Sequence, residues 1–328
     1  MKSVKSIVVD QYGGPEVLVL HDRDLRAPNN GEVLVCIRMI GVNFVDIYWR
    51  NGFDPQPLPF VPGLEASGVV AAVGQNVHNV KIGDRVAFGR VPGSYAEACI
   101  VPADRLICLP DDLSFEQGAA FPLQGMTAHY LIYEFRKPGA GDIVLIHAAA
   151  GGVGMLLVQW ARHLGAHVIG CVSTSEKAEI AKQAGAHDVV IYNTQNFASE
   201  TMRITNGHGA DIIFDGVGKT TFNLNMQAVA LRGHIVIFGA TSGAIDPLSP
   251  TALMERSLTL SGGDLRHFIM MREEMVLRAN AVMEGISAGW LKQKIYKIFP
   301  LSEATEAHRQ LEGRKTIGKV LLSTEQIV

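Results

Sequence analysis

Residues Ile143-Val-Leu-Ile-His-Ala-Ala-Ala-Gly-Gly-Val-Gly154 form the stretch that decides the fold. A short apolar run, typical of a buried strand, leads into a glycine turn, and residues 152–164 follow with the apolar periodicity of a helix. In the pattern GxGxxG, Ala149 replaces the first glycine, while Gly151 and Gly154 occupy the second and third places. This arrangement predicts a phosphate-binding turn, where the N–H groups and positive dipole end of the helix face a dinucleotide. The alternative is a tight turn with a purely structural role.

Apolar runs and helical patterns alternate on both sides of this turn, between Leu123 and Leu260. Helices are predicted at 152–164 and 175–184, and strands at 142–148, 167–172, 188–192, 211–215 and 234–238. Such alternation predicts an α/β domain in which crossover helices connect parallel strands. We therefore expect a doubly wound Rossmann domain over residues 126–265.

The flanking regions have a different pattern. Residues 4–111 contain short β-rich runs broken by turn residues, which favours a barrel or sandwich. The tail resembles this region, with predicted helices at 268–288 and 301–311 and strands at 295–299 and 319–322. We interpret residues 1–125 and 266–328 as one discontinuous β-rich outer domain that the Rossmann domain interrupts.

Composition narrows the class of protein. The 328 residues are 48% apolar and 19% charged, which excludes wholesale disorder. A formal charge of -3 provides no general attraction to nucleic acid or anionic lipid, so neither is an expected partner. No run of about 18 apolar residues predicts a membrane span. Four dispersed cysteines without a CxxC pair fit a reducing cytoplasm.

The end of the second Rossmann strand predicts the choice of cofactor. It reads Gly170-Cys-Val-Ser-Thr-Ser-Glu-Lys177, without the carboxylate that usually binds the ribose hydroxyls of NAD. Ser173, Thr174 and Lys177 would instead hydrogen-bond and neutralise a 2′-phosphate, which predicts NADPH. Alternatively, Ser173 or Ser175 only caps the next helix and Lys177 faces water.

Six motifs distributed along the chain resemble those of the zinc-independent, zeta-crystallin-like quinone oxidoreductases of the medium-chain dehydrogenase/reductase superfamily. The motifs are Gly41-Val-Asn-Phe-Val-Asp-Ile-Tyr-Trp-Arg50, Pro59-Phe-Val-Pro-Gly-Leu-Glu65, Gly83-Asp-Arg-Val86, Gly125-Met-Thr-Ala128, Ala148-Ala-Ala-Gly-Gly-Val-Gly154 and Phe238-Gly239. The resemblance implies a GroES-like catalytic domain, a Rossmann cofactor domain and transfer of reducing equivalents from NADPH to a quinone. Zinc-dependent relatives carry a cysteine and a histidine where this chain has Asn43 and Leu64, so we expect no metal.

Site residues also follow from the resemblance. It implies a catalytic set of Asn43, Asp46 and Tyr48. The cofactor contacts that it implies, together with the glycine turn, are Phe44, Thr127, Tyr130, Gly151, Gly152, Val153, Gly154, Ser173, Thr174, Lys177, Tyr192, Phe238, Gly239, Ser242 and Lys319. For Tyr192 and Phe238, ordinary packing at a strand end is the alternative.

Without zinc to polarise a carbonyl, catalysis must depend on the positioning of the reactants and on hydrogen bonds to the acceptor. This suits an acceptor that is already electrophilic, such as a quinone or enone. We expect Tyr48 and the Asn43 amide to donate to the acceptor oxygen, with water as the final proton source. Asp46 either orients its neighbours or caps a turn. Two positions depart from the family pattern: Phe53, commonly tyrosine, and Gly262-Gly263, often Arg-Pro.

Two other functions stay open. Related enzymes reduce the C=C bond of α,β-unsaturated carbonyls or carboxylates, and some relatives bind a cofactor or RNA without catalysis. For assembly we expect a homodimer, because strands at 234–238 and 257–261 would lie near an open edge of the doubly wound sheet.

Overall fold

The computed structural model describes residues 2–324, and the chain forms two compact units. The first unit contains Met1–Leu123, Met271–Asn280 and Gln293–Val328, and the second contains Gln124–Met270 and Ala281–Lys292. The expected outer domain includes residues 281–292, which the structure instead assigns to the second unit. Aromatic packing gives the reason, since the Trp290 ring stacks on His163 with centroids 4.0 Å apart. Within residues 2–324, no helix is long and apolar enough to cross a membrane.

Strands dominate the first unit. They are β1 Lys2–Val8, β2 Val19–Leu25, β3 Glu32–Val42, β4 Glu65–Val73, β5 Arg85–Gly89, β6 Ala98–Pro102 and β7 Leu106–Cys108. β1 and β2 form a separate antiparallel hairpin. Along β3, Val33, Val35 and Ile37 are buried and alternate with partly exposed neighbours, as expected for a strand covered on one face. The helices of this part are α1 Phe44–Arg50 and α2 Phe115–Ala120, and α3 Pro122–Tyr133 leads into the second unit.

The second unit alternates strands and helices. Its elements are β8 Ile143–His147, α4 Gly152–His163, β9 His167–Val172, α5 Ser175–Gln183, β10 Asp188–Ile191, α6 Phe197–Ile204, β11 Ala210–Asp215, α7 Phe222–Ala228, β12 Val229–Ile237, β13 Thr259–Gly262 and α8 Leu265–Phe268. The six strands pair in parallel in the order β10-β9-β8-β11-β12-β13. This is the doubly wound Rossmann order, which confirms the predicted fold class. Its topological switch point lies between β8 and β11.

The chain returns to the first unit at its C-terminal end. α9 Arg272–Ser287 begins in the first unit and ends in the second, and β14 Ile295–Pro300, α10 Ala304–Glu312 and β15 Lys319–Ser323 follow in the first unit. These strands complete a seven-stranded sheet of order β14-β15-β3-β4-β5-β7, with β6 also paired to β3. The helix predicted at 268–288 is present as α9, but it begins at Arg272, because non-helical residues 269–271 separate it from α8.

Candidate functional site

The glycine turn joins β8 to α4 as the sequence predicts. Helical hydrogen bonding begins at Met155 N, which donates to Gly151 O at 2.9 Å, so the first-turn N–H groups of Gly152, Val153 and Gly154 point out of the helix end. A Cβ added at Gly154 would lie 2.2 Å from Ala148 O. The helix therefore needs glycine here to approach the strand backbone. The turn lies at the carboxyl end of β8, beside the switch point, where open α/β sheets bind their ligands.

Ser173, Thr174 and Lys177 lie together at the carboxyl end of β9. Thr174 caps α5, and its Oγ1 accepts the Lys177 N–H at 3.3 Å. The cap is thus Thr174 and not Ser173 or Ser175, the two alternatives considered from sequence. Tyr192 follows β10, and its N–H donates to Val172 O at 3.0 Å, which places its backbone beside the end of β9. The Tyr192 side chain is 41% exposed, so core packing does not explain it.

Two loops after β11 and β12 are joined to one another by hydrogen bonds. The Ser242 hydroxyl donates to Val217 O at 2.7 Å, and Ser242 N donates to the same carbonyl at 2.9 Å. A Cβ on Gly239 would lie 2.7 Å from Gly216 O, and the Phe238 ring occupies the space beside Gly216. The structure brings Phe238, Gly239 and Ser242 to the carboxyl edge of the sheet. It also gives the Ser242 hydroxyl hydrogen a partner within the protein.

Thr127 and Tyr130 lie on α3. Thr127 is half-buried, whereas Tyr130 is buried, and the Tyr130 hydroxyl donates to Gly263 O at 3.0 Å. The Tyr130 ring stacks on Phe268 with centroids 4.3 Å apart. Gly263 makes room for this ring, because an added Cβ would lie 2.7 Å from a Tyr130 ring carbon. In this structure Tyr130 therefore supports the end of β13.

A buried cluster in the first unit joins Asn43, Glu65 and Lys319. The Asn43 amide donates to Glu65 Oε1 at 2.7 Å and to Gly41 O at 3.3 Å. Lys319 Nζ donates to Asn43 Oδ1 at 2.8 Å and also bonds Glu65 Oε1. Leu123 N donates to Glu65 Oε2 at 2.6 Å. Because the cation fixes the amide oxygen and the carboxylate fixes the amide nitrogen, the orientation of Asn43 is determined.

This cluster corrects two expectations. Both amide hydrogens of Asn43 are bonded to protein oxygens, so Asn43 does not offer a donor to an acceptor oxygen. Lys319, expected at the cofactor, has its ammonium buried against Asn43 and Glu65, with only 2% of its side chain exposed. The physical reason is desolvation, since a buried ammonium must lie beside a counter-charge.

Asp46 lies in the first turn of α1 and is completely buried. Its Oδ2 accepts the Asn43 N–H at 2.8 Å and the Tyr95 hydroxyl at 3.0 Å. Burial raises the pKa of Asp46 to about 7, although these two hydrogen bonds and the Lys319 charge oppose the shift. Asp46 therefore caps the start of α1 through the Asn43 N–H and also holds the Tyr95 hydroxyl, so both alternatives considered from sequence describe contacts that it makes.

Phe44 and Tyr48 lie on α1, which begins directly after Asn43. The centroids of Phe44 and Tyr48 are 6.4 Å apart, and that of Tyr48 is 5.1 Å from Phe53. The Phe53 side chain is 59% exposed. The Tyr48 ring thus makes aromatic contacts with both Phe44 and Phe53.

Sequence reasoning missed four members of this region, namely Arg50, Glu65, Tyr95 and His308. Only Glu65 carried a usable signal, because a charged residue at the start of an otherwise apolar strand must find a buried partner. Arg50 and His308 are separated by 258 positions in the chain, and no local pattern pairs them.

The positions at which zinc-dependent relatives hold metal contain Asn43, bonded as above, and the buried apolar side chain of Leu64. Across residues 2–324, no three His, Cys, Asp or Glu side chains group in a way that could hold a metal ion.

Family models match both parts of the chain. Residues 29–111 match the alcohol dehydrogenase GroES-like domain, and residues 152–280 match the zinc-binding dehydrogenase family. These matches agree with the β-rich first unit and the parallel sheet of the second.

Individual relatives match over nearly the full length. A 2-haloacrylate reductase of Burkholderia sp. is 40% identical over 97% of this chain and 98% of its own length. A quinone oxidoreductase of Pseudomonas aeruginosa is 39% identical over 97% of this chain and 99% of its own. The solved structure of Escherichia coli quinone oxidoreductase complexed with NADPH has a TM-score of 0.93 and 36% identity, covering 98% of this chain and 99% of that one. The chain therefore belongs to the quinone oxidoreductase family of the medium-chain dehydrogenase/reductase superfamily.

Proposed function

We propose that this protein is a zinc-independent enzyme that transfers reducing equivalents from NADPH to a quinone. The observation that carries the proposal is the glycine turn at the switch point of the sheet, combined with a β9 end that presents hydroxyls and an ammonium instead of a carboxylate. The NADPH complex of the Escherichia coli quinone oxidoreductase supports the same cofactor and reaction.

The residues present fit this cofactor. The N–H groups of Gly152, Val153 and Gly154 would bind the pyrophosphate, because they have no partner in the first turn of the helix and its N-terminal end carries positive partial charge. Ser173 and Lys177 would bind the 2′-phosphate. The Thr174 oxygen accepts from Lys177 N, and its hydroxyl hydrogen can still donate to a phosphate oxygen. When bound, the cofactor supplies a hydride from its reduced nicotinamide.

Tyr48 is the proposed donor to the acceptor oxygen, since the Asn43 hydrogens are bonded within the protein. Asn43, Asp46 and Lys319 would hold the first turn of α1 that positions Tyr48. Water would supply the final proton.

Reduction of an activated C=C bond is the second candidate. It is favoured by the relative that is named a 2-haloacrylate reductase and is 40% identical over 97% of this chain. The same fold and cofactor would serve, and only the acceptor would differ.

A steady-state screen separates these functions. We expect oxidation of NADPH with 1,4-benzoquinone to exceed that with 2-chloroacrylate or a simple enone, each also measured with NADH. Faster turnover of the acrylate or enone would replace the first function with the second. No turnover with any acceptor would reject both enzymatic functions and leave a cofactor- or RNA-binding protein.

Lys177→Ala tests the cofactor assignment. We expect KM for NADPH to rise about tenfold to a hundredfold, because a charge-assisted bond to phosphate is worth about 1.5–3 kcal/mol. KM for NADH should stay unchanged. Lys182→Ala is the matched control, since Lys182 lies on the same helix and contacts Glu179. Equal KM values for NADPH and NADH in the wild-type enzyme would contradict the assignment.

We also propose that the protein is a cytoplasmic homodimer. The four cysteines are free thiols, which supports the cytoplasm as the compartment because it is reducing. The edge of the Rossmann sheet supports the dimer, because, of the two strands expected near it, β13 is an edge strand and β12 lies next to β13. Light scattering at micromolar concentration should give twice the 35.5 kDa mass of the chain. A monomer mass would reject the dimer.

A further inference from the structure

A chain of hydrogen bonds runs through the interior of the first unit behind α1. Arg50 Nη1 lies 3.2 Å from His308 Nδ1, His308 Nε2 lies 3.0 Å from the Tyr95 hydroxyl, and that hydroxyl lies 3.0 Å from Asp46 Oδ2. All four residues are buried. They come from three separate parts of the polypeptide: α1, the segment before β6, and α10.

The chemistry of Arg50 fixes the direction of every bond in this chain. A guanidinium only donates, so His308 Nδ1 must accept and must carry no proton. Burial and the neighbouring Arg50 charge lower the pKa of His308 to about 3, so its neutral ring carries its single proton on Nε2. That proton is donated to the Tyr95 oxygen, and the Tyr95 hydrogen is left to be donated to Asp46.

Further hydrogen bonds hold both ends of this hydrogen-bond chain, Arg50 and Asp46. Arg50 Nη2 donates to Glu312 Oε1 at 2.6 Å, and Arg50 Nε donates to Gly13 O at 3.1 Å. At the other end, the same Asp46 oxygen accepts the Asn43 N–H. Asp46 is therefore the point where this chain meets the Asn43, Glu65 and Lys319 cluster.

We propose that Arg50, His308 and Tyr95 are positioning residues, which fix the Asp46 carboxylate and through it the first turn of α1. This inference rests on the proposed function, because Asn43 and Tyr48 matter to catalysis only there. None of the three is proposed to touch substrate or cofactor.

The groups that face Asp46 determine its response to pH. Asn43 N–H and the Tyr95 hydroxyl donate to it, Lys319 on β15 favours its charged form, and Glu65 on β4 opposes that form. Removing the Tyr95 hydroxyl deletes one of the two donors to the carboxylate. The pKa of Asp46 should then rise further, by about one unit.

The first experiment is nitrogen-15 NMR of histidine-labelled wild-type protein at pH 7.5, with His308→Gln used to assign the His308 signals. We expect a neutral ring protonated on Nε2. A ring protonated on Nδ1, or an imidazolium, would overturn the proposal. This readout needs neither turnover nor cofactor. It therefore tests the direction of the hydrogen bonds even if the proposed activity is absent.

The second experiment follows the Asp46 carboxyl carbon by carbon-13 NMR, assigned with Asp46→Asn, together with the pH profile of kcat/KM. In Tyr95→Phe, both the Asp46 midpoint and the acid limb of the profile should move up by about one pH unit. Tyr12→Phe is the control, since the Tyr12 hydroxyl donates to Gln56 O and takes no part in the hydrogen-bond chain from Arg50 to Asp46. An unchanged Asp46 midpoint in Tyr95→Phe, or an equal shift in Tyr12→Phe, would contradict the proposal.

Discussion

Replacing Lys319 with methionine should lower the free energy of unfolding by about 3–5 kcal/mol. Lys319 and Glu65 are both buried, and Glu65 would lose its only cationic partner among the described residues. A carboxylate without water or a counter-charge must either protonate or destabilise the folded state. Urea unfolding at pH 7.5, followed by circular dichroism, measures the loss.

A double variant separates the charge from the packing. Lys319→Met combined with Glu65→Gln removes both charges, and it should recover most of the stability lost in the single variant. Lys315→Met is the matched control, because Lys315 is exposed near the same end of the chain and should change stability by less than about 0.5 kcal/mol. A single variant as stable as the control would show that Glu65 does not depend on Lys319.

Asp46 and His308 should have opposite effects on acid stability. The folded protein keeps His308 neutral down to a pKa of about 3, whereas the unfolded chain protonates it near 6.5, so stability falls as pH drops through this window. Asp46 behaves in reverse, because its pKa of about 7 lets the folded protein bind a proton that the unfolded chain takes up only near 3.8. In the wild type, the two contributions largely cancel between about pH 6.5 and 4.

Single variants should expose each contribution. Relative to wild type, Asp46→Asn should lose about 3 kcal/mol of unfolding free energy between pH 6.5 and 4, and His308→Gln should gain a similar amount. Urea titrations at several pH values measure both slopes. Asp10→Asn and His21→Gln are the matched controls, because these two side chains face each other 4.0 Å apart at an exposed position. Slopes of the same sign in the two buried variants would refute the cancellation.

The second unit could largely be predicted from sequence. The strand, turn and helix of the phosphate site are contiguous, so their order and period are visible in residues 143–164. The start of β12 at Val229 was missed by five positions, since Arg232 and Gly233 interrupt its apolar pattern and Arg232 adopts a φ of 61°. Local periodicity therefore predicts the presence of a strand or helix more reliably than the residue at which it begins.

The sequence by itself determined the fold class, the position of the glycine turn and the absence of a carboxylate at the end of β9, because each depends on neighbouring residues. Only the tertiary structure decided what Asn43, Asp46 and Lys319 do. Lys319 lies 276 positions from Asn43 and 254 from Glu65, yet the three share one buried cluster. A buried charge is stable only beside partners that satisfy it, and folding alone brings those partners together.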